Sequence, residues 1–219
     1  MRKGILFDLD GTLWDSGEGV AVSWNLALAR MNRPERLDAE RVHGLMGKTG
    51  AEIAALLFPQ EPTAEAERML TECLNEENAY LALHGGTLFP GLADTMRTLR
   101  ERGFFLGIVS NCQEGYIEAF IRSHALEGLF DDTECYGRTG QGKGRNIRLV
   151  AERNRLSPVL YLGDTQGDLD AAEEAGVPFL HAAYGFGTVP EGTDGIDDLR
   201  SLPDWVSGHF PGGMRSSQK

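Results

Sequence analysis

The spacing of hydrophobic residues changes along the chain, from one continuous run to helical spacing. The run "GILFDLD" at residues 4–10 is apolar up to its acidic end, which predicts a short buried strand. From about residue 18 to residue 84, apolar positions recur with the period of a helix, and no convincing strand pattern interrupts them. Segments such as "GVAVSWNLALARMN" and "TAEAERMLTECLNEENAYLALH" therefore predict amphipathic helices.

After residue 86, strand patterns and helix patterns alternate. "FFLGIVSN", "FDDTECYG" and "VLYLGD" predict strands, while "LADTMRTLRERG" and "RNIRLVAERNRL" predict helices between them. This alternation is typical of an α/β protein, in which a parallel sheet carries helices on both faces. We predict a core at residues 1–15 and 86–219, with a small all-helical cap domain at residues 16–85 inserted after the first strand.

Acidic residues follow two of the predicted strands. Asp8 and Asp10 end the first strand, and Asp164 and Asp168 follow "VLYLGD". Each pair has a structural interpretation, because Asp-Gly favours turns and Asp or Thr caps helices. However, ligands of open parallel sheets bind at the carboxyl ends of the strands, and several carboxylates gathered there need a cation. Hard oxygen ligands suit Mg²⁺, so we predict a magnesium site.

Polar residues at two further positions could hold an anion. Ser110 and Asn111 end the strand "GIVSNC" and can hydrogen-bond phosphate oxygens, although a polar turn between strand and helix is also common. Lys143 lies between glycines in "GQGKG", where it is either a fixed positive charge or a solvated surface lysine.

Composition and charge narrow the possible partners. The 219 residues are 41% hydrophobic and 25% charged, which is ordinary for a globular protein with a full core. The net charge of −12 disfavours a nucleic-acid surface but allows a small phosphorylated ligand held by a local cation. The sequence shows no signal peptide, no run of membrane-spanning length and no CxxC pair. We therefore expect a cytoplasmic protein that binds no membrane, as a monomer or weak homodimer.

Four motifs in this order resemble the haloacid dehalogenase superfamily. They are "DLDGT" at residues 8–12, "VSN" at 109–111, Lys143, and "GDTQGD" at 163–168. The helical segment is similar, more loosely, to the cap of the phosphoglycolate-phosphatase and β-phosphoglucomutase branch. The resemblance implies a Rossmann-like core and a Mg²⁺-dependent phosphatase. Its substrate would be a small phosphomonoester, phosphoglycolate-like or sugar-phosphate-like, hydrolysed through an aspartyl-phosphate intermediate.

The resemblance also implies a role for each residue. Asp8 would be the nucleophile, and Asp10 would protonate the leaving oxygen and then activate water. Mg²⁺ would be bound by the Asp8 side chain, the Asp10 backbone carbonyl and Asp164, while Asp168 would support this site or orient Lys143. The phosphoryl oxygens would be held by Thr12, Ser110, Asn111 and Lys143. Lys48, in "GLMGKTG", is either a contact for an anionic part of the substrate or a surface lysine.

Two alternatives stay open at this point. A phosphomutase of the β-phosphoglucomutase type would use the same two aspartates and return the phosphoryl group to a sugar. "GRTGQGKG" also approaches the nucleotide-binding P-loop, but Gly144 stands where that loop needs a hydroxyl. Gly144 also replaces the proline that often follows the lysine in the superfamily, which leaves the local loop geometry open.

Overall fold

The main feature of the fold, seen in a computed structural model that describes residues 1–210, is a parallel β-sheet. The strands are β1 (Arg2–Phe7), β2 (Trp14–Asp15), β3 (Thr87–Leu88), β4 (Phe105–Ser110), β5 (Asp132–Cys135), β6 (Leu156–Gly163), β7 (Phe179–Ala182) and β8 (Gly195–Ile196). Six of them pair in parallel in the order β5-β4-β1-β6-β7-β8, with β1 inside the sheet. The predicted α/β class with a parallel sheet is confirmed.

Helices connect the strands and also fill the segment between β2 and β3. They are α1 (Gly17–Arg30), α2 (Ala39–His43), α3 (Gly50–Leu57), α4 (Thr63–His84), α5 (Leu92–Glu101), α6 (Tyr116–Ser123), α7 (Tyr136–Thr139), α8 (Lys143–Arg153), α9 (Gln166–Ala175) and α10 (Leu202–His209), with a 3-10 turn at Leu199–Ser201. The first four make up a helical segment, residues 17–84, as the periodicity predicts. None of the helices within residues 1–210 combines the length and apolar character needed to cross a bilayer.

The apolar side chains of the central strand β1 are buried on both faces of the sheet. Successive side chains of a strand point to opposite faces, and Ile5, Leu6 and Phe7 of β1 are all fully buried. Ile5 and Phe7 belong to a core that includes residues of α5, α6 and the helical segment. Leu6 belongs to a second core with residues of α8 and α9. The apolar run at the start of the chain therefore marks a strand buried on both faces, as in parallel sheets generally.

A short antiparallel pair joins the two ends of the helical segment, and sequence patterns do not predict it. Trp14 of β2 pairs with Leu88 of β3, and Asp15 pairs with Thr87. Two residues are too few to show the alternation that identifies a strand. The Trp14 ring is fully buried and packs edge-on against Tyr116 and Phe120, with centroid distances of 5.6 and 5.1 Å. This packing anchors both connections of the helical segment to α6.

Candidate functional site

The carboxyl ends of β1, β4 and β6 bring the predicted site residues to one edge of the sheet. Phe7, the last residue of β1, is in register with Ile108 of β4 and with Leu162 of β6. Asp8 continues the ladder by donating its N–H to the carbonyl of Leu162 at 2.8 Å. Asp164 follows the end of β6 directly. Residues distant in sequence become neighbours here because parallel strands end at the same edge.

Three buried carboxyl groups form the centre of this edge. Oxygen atoms of Asp8, Asp164 and Asp168 all lie within 4.8 Å of one another. The exposed fraction of the three residues is 3%, 0% and 0%, respectively. Carboxylates are almost never fully buried unless they are paired or bind a metal. A neighbouring positive charge is therefore needed to offset the repulsion among these three carboxylates.

Lys143 supplies part of that charge. Its Nζ lies 2.8 Å from Asp8 Oδ1 and 2.6 Å from Asp168 Oδ1, and the residue is buried. Although burial lowers it, the charges of Asp168 and Asp8 raise the pKa of Lys143 above its usual range. Lys143 is thus a fixed cation within the acidic cluster, and the interpretation as a solvated lysine is wrong.

Gly144, the departure from the superfamily pattern, has a packing reason. A Cβ at this position would lie 2.8 Å from the Glu174 Cβ and 2.4 Å from its Oε2. Glycine therefore lets α8 approach α9 closely while Lys143 still reaches the cluster. The P-loop alternative does not hold, because Lys143 is ion-paired with Asp8 and Asp168.

Asp164 is held in a tight backbone cradle. Its Oδ2 accepts hydrogen bonds from the N–H groups of Phe186 and Gly187 at 2.9 and 3.1 Å. Gly11, at φ +79°, permits this approach, since a Cβ there would lie 2.2 Å from Asp164 Oδ2. Burial, followed by the charge of Asp168, raises the pKa of Asp164 to about 6.

The other oxygen of Asp164 fits a bound cation. Asp164 Oδ1 is buried and finds no hydrogen-bond partner among the residues that the structure describes. An unpartnered buried carboxylate oxygen is costly unless something compensates it. Since carboxylate oxygens of Asp8 and Asp168 lie beside it, the donor set is the hard oxygen set that Mg²⁺ prefers. These residues fit a magnesium ion.

Asp168 has two tasks that the sequence leaves as alternatives. Its Oδ2 accepts hydrogen bonds from Thr165 N and Thr165 Oγ1 at 3.0 and 2.7 Å, and its own N–H donates to Thr165 Oγ1. This reciprocal arrangement is a capping box at the start of α9. Its Oδ1 meanwhile accepts from Lys143. The helix cap therefore fixes the carboxylate that orients the lysine.

Asp10 lies in a different environment from Asp8. Its Oδ1 accepts hydrogen bonds from Tyr116 OH and Ser16 Oγ, each at 2.8 Å. Burial raises the pKa of Asp10, against the hydrogen bonds from Tyr116 and Ser16. A carboxyl group with a raised pKa, fixed by two hydroxyls, is suited to exchanging a proton. Tyr116 and Ser16 are functional candidates that the sequence does not reveal, because neither belongs to a motif.

Three of the predicted phosphate-binding residues lie at or just after the ends of β1 and β4. Ser110 is buried at the end of β4, and Asn111 Nδ2 donates to the carbonyl of Gly47 in the helical segment at 3.1 Å. Thr12 Oγ1 and Asn111 Oδ1 are buried and without a hydrogen-bond partner within the described part of the chain. Buried polar atoms without a partner at the ends of β1 and β4 favour a polar ligand at this edge of the sheet.

A cavity of about 250 Å³ separates the helical segment from the sheet edge. Asp10, Ser110 and Asn111 line it from the sheet side, and the exposed Lys48 lines it from the helical segment. Glu77 of α4 also lines it and is buried. The sequence gives no signal for Glu77, because a glutamate in a charged helix resembles any solvated position.

Comparison with known proteins gives consistent findings. The family model described as haloacid dehalogenase-like hydrolase matches residues 5–182. The phosphoglycolate phosphatase of Escherichia coli (strain K12) is 30% identical over 210 residues, covering 84% of this chain and 82% of that protein. The structure of CbbY from Rhodobacter sphaeroides in complex with phosphate has a TM-score of 0.75 and 25% identity, covering 92% of this chain and 96% of that chain. A haloacid dehalogenase-like family hydrolase from Streptococcus pneumoniae shares the fold, with a TM-score of 0.78, 20% identity, and coverage of 94% and 98%.

Proposed function

Since this chain belongs to the haloacid dehalogenase-like hydrolase family and is a phosphatase, we propose that it hydrolyses small phosphomonoesters with Mg²⁺ through an aspartyl phosphate on Asp8. The observation that carries the proposal is the buried group of Asp8, Asp164 and Lys143 at the sheet edge, which combines a nucleophile, an unpartnered carboxylate oxygen and a fixed cation.

In the first step, Asp8 attacks the phosphorus atom and the bond to the leaving oxygen breaks. Lys143, which contacts Asp8 at 2.8 Å, lies where it can hold the phosphoryl oxygens next to the attacking carboxylate. Ser110, Asn111 and Thr12 offer hydrogen bonds to the same group. Phosphoryl transfer depends on such positioning and charge neutralisation more than on further covalent chemistry.

Asp10 handles the protons of both steps. It donates a proton to the leaving oxygen, and it then accepts one from the water that attacks the phosphorus atom of the aspartyl phosphate. The second attack breaks the bond to Asp8 and releases inorganic phosphate. Hydrogen bonds from Tyr116 and Ser16 orient the Asp10 carboxyl group. Mg²⁺, held by the Asp8 side chain, the Asp10 carbonyl and Asp164, would neutralise charge on the phosphoryl oxygens.

Helices α1–α4 act in this proposal as the cap. The loop between α2 and α3 contributes Gly47, whose carbonyl accepts a hydrogen bond from Asn111, and the helices line the cavity opposite Asp10. A closed cavity would exclude bulk water and retain the leaving group near the proton donor.

The proposed activity is tested by measuring phosphate release from phenyl phosphate, phosphoglycolate and hexose phosphates. Analysis of the sugar products, with and without a sugar bisphosphate, separates a phosphatase from a phosphomutase. A phosphatase releases inorganic phosphate from each accepted substrate, whereas a mutase converts one sugar phosphate into its isomer. Isomerisation without net phosphate release would contradict the proposal.

Removing divalent metal should abolish phosphate release, and adding Mg²⁺ should restore it. Because Asp164 Oδ1 has no partner among residues 1–210, bound Mg²⁺ should also stabilise the fold, by about 2.7 kcal/mol at a hundredfold excess over its Kd. Thermal unfolding with and without Mg²⁺ measures this directly. Asp164→Asn should lose both the activity and most of the Mg²⁺-dependent increase in Tm. A chelated enzyme that keeps full turnover would exclude the magnesium proposal.

Lys48→Ala should raise KM for substrates with an anionic leaving group by about fivefold, and leave kcat within about twofold. Lys48 lines the cavity but is exposed, so its charge can assist binding without touching the reacting atoms. Steady-state kinetics with phosphoglycolate measure the effect, with phenyl phosphate, whose leaving group carries no carboxylate, as the reference. Unchanged constants for both substrates would make Lys48 an ordinary surface lysine.

A further inference from the structure

Glu77 is a buried acidic residue in the cavity, and the proposed chemistry makes no use of it. It lies in α4, faces the cavity and is only 4% exposed. Glutamate is almost never buried to this extent without compensating partners. Its place, opposite the proton donor Asp10, is where the leaving group of a phosphomonoester would lie.

Two hydrogen bonds fix the Glu77 carboxyl group. Trp24 Nε1 donates to Oε2, and Gln113 Nε2 donates to Oε1 at 3.2 Å. The orientation of the Gln113 amide is set in turn, because the same nitrogen donates to Asn78 Oδ1 at 3.0 Å. A carboxylate can accept about four hydrogen bonds. Glu77 is therefore a fixed acceptor with remaining capacity for a ligand.

The rest of the cavity wall beside Glu77 is mainly apolar. Val20, Val42, Leu45, Ile53 and Leu74 contribute to it. The volume of about 250 Å³ equals about eight waters at their share of liquid volume. The space therefore suits a larger and more apolar leaving group than the two-carbon acid glycolate.

The charges in the cavity oppose a further anion. Burial, with the charge of Asp10 adding to it, raises the pKa of Glu77 to about 8. Above pH 8, where Glu77 is ionised, a carboxylate brought beside it would meet a like charge in a poorly solvated space, where like charges repel strongly. A group that donates a hydrogen bond would instead find an acceptor.

We propose, on the basis of the phosphatase function above, that Glu77 is a specificity-determining residue. It selects phosphomonoesters whose leaving group is mainly apolar and carries a hydrogen-bond donor, such as a hydroxyl, amide or ammonium group. It disfavours leaving groups that end in a carboxylate. The substrate preference proposed for this chain therefore differs from the substrate for which its phosphoglycolate phosphatase relatives are named.

Lys48 is the competing determinant, since it could bind a carboxylate. It is exposed, whereas Glu77 is buried at the inner wall. The two residues therefore predict opposite effects, which substitution at each position separates. Removing Lys48 would further weaken the use of a carboxylate substrate, and removing the charge of Glu77 would improve it.

The test compares phosphoglycolate with its amide, carbamoylmethyl phosphate, which has the same number of non-hydrogen atoms. At pH 9, above the Glu77 pKa of about 8, we expect the wild-type enzyme to favour the amide by about tenfold in kcat/KM, and Glu77→Gln to reduce that ratio to within about threefold. Glu72→Gln is the matched control, because Glu72 is exposed on the same helix. Tm of each variant reports whether it is folded.

Phenyl phosphate separates failure of this proposal from failure of the proposed function. Its hydrolysis measures the chemistry of Asp8 without a charged leaving group. If the wild-type enzyme hydrolyses phenyl phosphate but uses phosphoglycolate as well as the amide, Glu77 does not determine specificity. An unchanged ratio in a folded Glu77→Gln enzyme would also overturn the proposal. If that variant does not fold, the comparison of the two substrates on the wild-type enzyme still tests the proposal.

Discussion

Asp8→Asn should reduce kcat/KM for phenyl phosphate by about 10⁴-fold or more. The asparagine amide has nearly the shape of the carboxylate but cannot form the covalent phosphoryl intermediate. No neighbouring group can readily replace it, because Asp168 is held by Lys143 and Thr165, and Asp10 is held by Tyr116 and Ser16. The rate of phosphate release by the purified variant measures the loss of activity.

The stability of this variant distinguishes lost chemistry from lost folding. Burial and the charges of Asp168 and Asp164 raise the pKa of Asp8, against the opposing effect of Lys143. Removing its charge relieves that repulsion, so the Tm of Asp8→Asn without added metal should equal or exceed that of the wild type. Asp170→Asn is the control, since Asp170 is exposed on α9. A folded Asp8→Asn enzyme with substantial turnover would refute the assignment of the nucleophile.

The acidic cluster could be predicted from the sequence because two simple rules suffice to place it. Parallel strands end at one edge, and residues directly after a strand stay near that end. Asp8 and Asp164 satisfy both conditions, and β1 and β6 are neighbours in the sheet. The position of Lys143 is harder to predict, because its burial depends on the close approach of α8 to α9 at Gly144. The sequence around it shows glycines but does not show which helix they approach.

The groups around Asp10 could not be predicted, because no local pattern marks them. Tyr116 is 106 positions from Asp10, and its hydroxyl reaches the site because β2, β3 and α6 pack together around Trp14. Glu77 becomes part of the cavity only when α4 lies over the sheet edge. Such contacts depend on tertiary packing, whereas the hydrophobic periodicity of α4 predicts only that it is a helix.

The same contrast applies to the substrate preference proposed above. The residues proposed for chemistry follow the strand ends and resemble those of the family. The part of the cavity wall around Glu77, which is proposed to face the leaving group, combines Trp24, Glu77 and Gln113, from three separate parts of the chain. In that proposal, their proximity defines the polarity of the cavity, and this polarity selects the phosphomonoester. The proposed specificity is therefore carried by tertiary contacts rather than by a motif.

Lys143→Met should lower both stability and activity. The substitution leaves Asp8 and Asp168 buried without their shared cation, and breaking a buried ion pair in this way costs about 3–5 kcal/mol. Without the lysine, the pKa of Asp8 would rise further, so the loss of stability should be smallest in acid and grow as pH increases. Urea unfolding at several pH values measures it. Activity on phenyl phosphate should fall by about 10³-fold, because the phosphoryl oxygens lose their fixed cation.

The double variant Lys143→Met/Asp168→Asn separates the two roles of the lysine. Replacing Asp168 with asparagine removes one of the unpaired charges, while the amide oxygen of the new side chain can still accept hydrogen bonds from Thr165. The double variant should therefore regain about 1–2 kcal/mol of stability over the single variant. Its activity should stay low, since no cation returns to the phosphate site. Recovery of activity together with stability would mean that Lys143 only neutralises the buried carboxylates, and that the phosphoryl group is held by the polar side chains at the end of β4.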